Sequence, residues 1–324
     1  MIYVDDRRSG AHGIARFSRE VLARLPGRVP ATVRRLPVRG AATSPLDAVR
    51  PGRLRASGRD VVFSPGANAG VSRAVQLVTV HDLIHLADGS RPKRLYYEHV
   101  VRPQIVRTGA VLTVSDASCR LIEDWLGPRA GVVDVVVVGN GCSPDFTPVG
   151  DAEVFDRPTF VLVSNTKAHK NVAVVFAALA RCPEFGLVVV GPSPTEMTRL
   201  AGEAGVADRV DVRTGLSDAG LARLYRGATA LLMPSTQEGF GLPVLEAMSC
   251  GVRAVHWARC APVAEIAAGA GITVEAATDA GEWAEAMEKA ATTGGLLRMP
   301  AAWRARYDWD LVGDRVAGVL RGLL

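Results

Sequence analysis

A chain of 324 residues, 48% hydrophobic and 22% charged, holds enough apolar material for about two globular domains and is excluded from the disordered and fibrous classes. Its net charge of +5 is unevenly placed: residues 1–150 carry 21 Lys and Arg against 13 Asp and Glu, a net +8, and residues 151–324 carry 17 against 20, a net −3. Five cysteines, at 119, 142, 182, 250 and 260, form no C-x-x-C pair and leave an odd count, which argues against a disulfide framework and for a reducing compartment. The opening MIYVDDRRSG puts charges where a signal peptide needs an apolar stretch. No run approaches the roughly 18–20 apolar residues of a membrane span. A cytoplasmic protein is expected. The basic first half reads first as a solvated Arg-rich surface, and also suits an anionic substrate or weak peripheral contact with the inner face of a membrane. No nucleic-acid module is recognisable, so no nucleic-acid partner is expected.

In chain order, short β-branched runs at 2–4, 32–36, 61–63, 77–80, 111–114 and 133–138 read as strands, with helices expected at 13–25, 96–106 and 117–125. A Pro- and Gly-bearing stretch at 139–158 reads as a linker. The rhythm restarts with strands at 160–163, 187–190, 210–212, 230–233, 254–256 and 272–274. Helices are expected at 172–180, 195–204, 218–226, 243–248 and 280–290. Alternation of this kind predicts two parallel, doubly wound sheets in tandem, with ligand held in a cleft at their carboxyl edges. No G-x-G-x-x-G follows the first strand, which argues against a nicotinamide dehydrogenase.

The most informative segment is Ser235-Thr-Gln-Glu-Gly-Phe-Gly-Leu-Pro-Val-Leu-Glu-Ala-Met-Ser-Cys-Gly251. Gly239 and Gly241, on either side of Phe240, permit a tight turn and close backbone approach. Pro243 suits the first turn of a helix, after Leu242, whose amides favour phosphate. Glu238 precedes the turn and Glu246 lies eight residues on, about one turn into the helix. Two carboxylates so placed can hold two hydroxyl-bearing parts of one ligand, such as a hexose and a ribose. Taken alone, two such glutamates are more often exposed surface residues; the whole string is far more specific. Val163-Ser-Asn-Thr-Lys-Ala-His-Lys-Asn171 places Lys170 just before a helix, a ready anion site. Asn165, Lys167 and His169 stand open as its partner. His81 closes the strand in Val78-Thr-Val-His-Asp-Leu-Ile84, and Ser115 is a fitting N-cap in Val114-Ser-Asp-Ala-Ser118.

These strings, in this order, resemble retaining GT-B glycosyltransferases of family 4, the glycosyl transferases group 1. Glu238 through Gly251 resembles the family's E-x7-E motif, E-G-F-G-L-P-x-x-E-A-M-x-x-G; Val252-Arg253 departs from the Pro usual there. Ser9-Gly-Ala-His-Gly-Ile-Ala-Arg-Phe17 is similar to the N-terminal glycine loop, with His12 and Ala15 replacing two glycines, so that Gly13 alone carries over as the acceptor or phosphate loop. Val78–Ile84 is similar to H-D-L-I, Val114–Ser118 to V-S-E-A-S, Gly139-Asn-Gly141 to the N-G turn, and Val163–Asn171 to V-G-N-x-K-P-H-K-N, although the Arg common in relatives is missing. Tyr307-Asp-Trp-Asp310 is similar to the F-S-W ending, with Trp309 docking a helix that crosses back to the first domain. It also reads D-x-D, but a D-x-D metal motif belongs at a strand end.

The resemblance implies a GT-B fold of two Rossmann-like domains facing a central cleft. Residues 1–145 would bind acceptor, 146–305 would bind the nucleotide sugar, and 306–324 would form the returning helix. It implies a hexosyltransferase with retention of configuration, no cofactor and no metal. His81, Glu238 and Lys170 would be catalytic. Asn165, Lys170, Glu238, Gly239, Phe240, Gly241, Leu242 and Glu246 would bind donor, with Glu238 facing the sugar and Glu246 the ribose. The H-D-L-I and H-K-N variants are similar to mannosyltransferases of surface-polysaccharide assembly, which points to GDP-mannose. The acceptor stays open among glycans, lipid-linked glycans and small molecules. Two alternatives share the architecture: an inactive nucleotide-sugar-binding module and a sugar-nucleotide 2-epimerase.

Overall fold

Among the described residues every strand pairing is parallel, the arrangement of sheets whose strands are joined by crossover connections. The computed structural model describes residues 1–7, 10, 13–38, 49, 56–88 and 91–324. It divides into two compact units, residues 1–141 with 305–324, and residues 142–304. Each is a Rossmann-like α/β unit.

In the first unit, β1 (Ile2–Val4), β2 (Val33–Arg35), β3 (Val61–Ser64) and β4 (Val75–Val78) stand in the order β2-β1-β3-β4. The bridge Thr79 to Leu112 joins β4 to β5 (Ala110–Thr113), which pairs with β6 (Asp134–Val137). The helix Gly13–Arg24 follows β1; residues 11 and 12, and with them His12 of the glycine loop, lie outside the described residues. The helix Trp309–Gly322 packs on Gly13–Arg24 through buried Trp309, Val312, Val316 and Leu320. Gly141 is glycine because a Cβ there would stand 2.4 Å from the Trp309 ring. The Asp308-Trp-Asp310 string has structural work: Asp308 caps this helix by accepting from the Asp310 amide at 2.7 Å. Asp310 meanwhile pairs with Arg24 and Arg28.

One expected helix differs. The stretch read as 96–106 is three pieces: Arg91–Tyr96, a π-helical turn Tyr97–Val101, and Arg102–Thr108. The wide turn serves two neighbouring tyrosines with different partners. The Tyr96 hydroxyl donates to the Ala69 carbonyl at 2.7 Å and accepts from its amide at 2.8 Å. The Tyr97 ring packs edge-on against His85 and Trp125.

The second unit has six strands: β7 (Thr159–Val163), β8 (Gly186–Val190), β9 (Val210–Arg213), β10 (Leu231–Met233), β11 (Ala254–Trp257) and β12 (Ile272–Val274). They run in the order β12-β11-β10-β7-β8-β9. Phe160, Leu162, Val175, Phe176, Leu187, Val189, Leu232, Val255 and Trp283 are among the buried side chains of its core. The chain builds β7, β8 and β9 outward to one side and then returns to place β10 on the other side of β7. The order therefore reverses between β7 and β10, the point where such sheets bind ligands at their carboxyl ends. Part of the expected linker belongs to this unit. Arg226 donates to the carbonyls of Thr147 and Asp151, and Arg213 holds the Glu153 carboxylate through two nitrogens at 2.7 and 3.0 Å. Among the described residues no helix is long and apolar enough to cross a membrane.

Candidate active site

Two loops leave the carboxyl ends of β7 and β10 at this switch point, and their residues converge. After β7 the chain runs from Ser164 to a single 3-10 turn, Ala168–Lys170, and then into the helix Val172–Leu179. Asn171 makes the turn possible by adopting a left-handed conformation, φ 49°, which Asn tolerates better than most residues. Its side-chain amide donates to the Ala277 carbonyl at 2.7 Å. After β10, residues 234–241 lead into the helix Leu242–Ser249. Gly241 precedes that helix at φ 113°, and a Cβ on it would press on Val263 at 3.2 Å; glycine relieves both strains. Pro243 sits in the first turn and no side chain caps the helix, whose amide end carries a partial positive charge.

The loops are tied to each other. The Thr236 amide and hydroxyl both donate to the His169 carbonyl, at 2.8 and 3.2 Å. Beside this tie, Lys170 Nζ donates to Glu238 Oε1 at 2.6 Å, with side chains 19% and 12% exposed. Cys260 lies close by, buried, and its thiol is pushed up to about 12, first by burial and then by the Glu238 charge. Glu246, one turn into the helix, is 4% exposed, and the buried Tyr225 hydroxyl donates to its Oε2 at 3.4 Å. Gly239 and Leu242 are half-buried and Phe240 is buried. Asn165 turns its side chain back on the loop, its Oδ1 accepting from the Lys167 amide at 3.1 Å.

Lys170, Glu238, Glu246 and the Gly239–Leu242 turn thus stand on adjoining elements of the second unit. His81 and Gly13 belong to the first. His81 follows β4, is buried, and packs edge-on to Phe17 at 4.9 Å. A carbonyl oxygen only accepts, so its Nε2 carries a proton and donates it to the Pro65 carbonyl at 2.8 Å. Burial raises the neighbouring Asp82 carboxyl, but hydrogen bonding and charge from His85 and the charge of His81 outweigh it, so Asp82 sits below its ordinary value. Sequence reading missed Tyr225, Thr236 and Cys260 as neighbours of the site. The signal that could have found Tyr225 is the apolar periodicity of the helix Asp218–Gly227, which buries Leu221, Leu224 and Tyr225 together.

Both units are Rossmann-like α/β units, and the chain has the GT-B fold. Sucrose-phosphate synthase from Thermosynechococcus elongatus matches with a TM-score of 0.75 over 99% of this chain and 98% of that one, at 20% identity. Anabaena HepE, solved in complex with UDP and glucose, matches with a TM-score of 0.69 over 99% of both chains, at 16% identity. Residues 151–305 belong to the family described as Glycosyl transferases group 1. The D-inositol 3-phosphate glycosyltransferase of Mycobacterium tuberculosis is 30% identical over 258 residues, 73% of this chain and 53% of that protein. The chain spans about half the length of the curated relatives it matches.

Proposed function

We infer that this protein is a glycosyltransferase that moves a hexose from a nucleoside diphosphate sugar to a hydroxyl of its acceptor, with retention of configuration and without a metal. The observation that carries the reading is the placement of Lys170, Glu238 and Glu246 around one helix terminus at the strand-order reversal of the group 1 domain. The chemical problem is the departure of a diphosphate from the anomeric carbon. Lys170 and the amides at Gly239–Leu242 face the growing negative charge, which is worth most where water is partly excluded. Glu246, buried and held by Tyr225, suits the paired hydroxyls of a ribose, and Glu238 those of the sugar. On the family resemblance, the acceptor hydroxyl attacks from the face the diphosphate leaves, and its proton passes to the departing phosphate oxygen. His81 is assigned by the same resemblance to hydrogen bonding near the reacting carbon.

The H-D-L-I and H-K-N strings favour GDP-mannose as donor, and the HepE complex with UDP and glucose keeps UDP-sugars in the test. The name of the mycobacterial relatives favours a small polar acceptor such as an inositol phosphate. Incubation with GDP-, UDP- and dTDP-sugars, following nucleotide release with and without a chelator, tests the reading. One donor should be turned over slowly by water and faster with acceptor, and the rate should survive chelation. Binding without release under any condition would favour the inactive module. Loss of turnover on chelation, rescued by Mn²⁺ or Mg²⁺, would remove the metal-free mechanism.

A further inference from the structure

The Lys170–Glu238 ion pair gives Glu238 a task beyond holding a sugar, one that rests on the donor-site reading above. The ammonium assigned to the diphosphate is already engaged, at 2.6 Å, by the carboxylate assigned to the sugar. The loops carrying the two residues are locked together by Thr236 on the His169 carbonyl, so backbone opening does not easily part them. Any exchange of partners happens in the side chains. The pair is mostly screened from water and backed by the buried Cys260, so its charges interact more strongly than a surface pair would.

A diphosphate arriving here must share or displace Glu238 on Lys170, and it brings its own negative charge beside a carboxylate. A nucleotide sugar meets the same penalty but offsets it, because sugar hydroxyls donate to the carboxylate that Lys170 has let go. The product nucleoside diphosphate has no such hydroxyls at that place. We propose that Glu238 discriminates donor from product: it weakens the binding of free nucleoside diphosphate through competition for Lys170, and so clears the site after transfer.

Calorimetric titration of UDP and GDP into the wild-type chain and into Glu238→Gln and Glu238→Asp tests this. Glutamine keeps shape and hydrogen bonding but removes the charge; aspartate keeps the charge. Whichever diphosphate the wild type binds should bind Glu238→Gln about tenfold more tightly, while Glu238→Asp stays within about threefold of wild type. Turnover by Glu238→Gln should fall even as product affinity rises, two changes of opposite sign that a general loosening of the site does not produce. Equal or weaker diphosphate binding by Glu238→Gln overturns the proposal, and so does Glu238→Asp binding as tightly as Glu238→Gln. Should the glutamine variant fail to fold, Glu238→Ser removes the same charge and carries the same expectation. Binding of neither diphosphate by any of these proteins would instead overturn the donor-site reading, and the proposal with it.

Discussion

Lys170 and Glu246 stand on adjoining elements yet should fail in different ways. Charge on a leaving diphosphate grows as the glycosidic bond breaks, so Lys170→Ala should lower kcat by about 10² to 10³. A ribose contact is the same in ground and transition states, so Glu246→Gln should raise the donor KM and leave kcat nearly intact. Tyr225→Phe should reproduce part of that KM rise, since Tyr225 donates to the same carboxylate. Steady-state kinetics with the donor returned by the screen separates these outcomes. A kcat loss under about tenfold for Lys170→Ala would move the phosphate contact to Lys167 or His169. An unchanged KM in folded Glu246→Gln would remove the ribose assignment. The eight-residue spacing of the glutamates and the lysine before a helix were legible in the sequence, because both are local patterns. The ion pair was not, since Lys170 and Glu238 lie 68 positions apart and meet only when β10 returns beside β7. Neither was the burial of Glu246, which depends on the helix carrying Tyr225.

Among elements, the close approach of the β7 and β8 ends bears most directly on the site. A Cβ on Gly191 would lie 1.9 Å from the Ser164 carbonyl oxygen, a backbone atom that cannot rotate away. Gly191→Ala should therefore push the start of the Lys170 loop out of place. The expected cost is about 1–3 kcal/mol of stability, and nucleotide binding should weaken although no ligand contact is altered. Thermal unfolding and nucleotide titration of the variant measure both, and a native melting temperature with native affinity would show that the loop takes up the methyl freely. Sequence reading placed a strand at 187–190 and did not single out Gly191, because its neighbour Ser164 comes from another strand. Capped helices were easier to place. Ser115, Ser217 and Asp279 each accept from backbone amides in the first turn, and helices were expected to start within a residue or so of these positions. The π-helical turn Tyr97–Val101 was illegible, since it exists to serve Ala69, His85 and Trp125.

For the molecule as a whole, buried titratable groups in the second unit set limits at both ends of the pH scale. His256, on β11, is buried, and burial lowers its ring below the ordinary value of 6.5 despite a hydrogen bond to the Trp257 carbonyl. The unfolded chain then takes up the proton first, so this stability is whole above about pH 6.5 and is lost as pH falls toward the folded value. Cys250 and Cys260 behave oppositely: burial raises both thiols from 9.0 to about 12, so their stability is lost as pH climbs through that interval. Melting curves from pH 5 to 10 should decline at both ends, and His256→Gln should flatten the acid side; an unchanged acid slope would assign it elsewhere. The way the chain threads its two units also bears on the order in which they are made. Residues 142–304 are continuous, whereas residues 1–141 need Trp309 and its helix to cover Phe17 and Gly141. A ribosome therefore releases the whole of the second unit before the segment that seals the first, and the part translated earliest is the part that closes last.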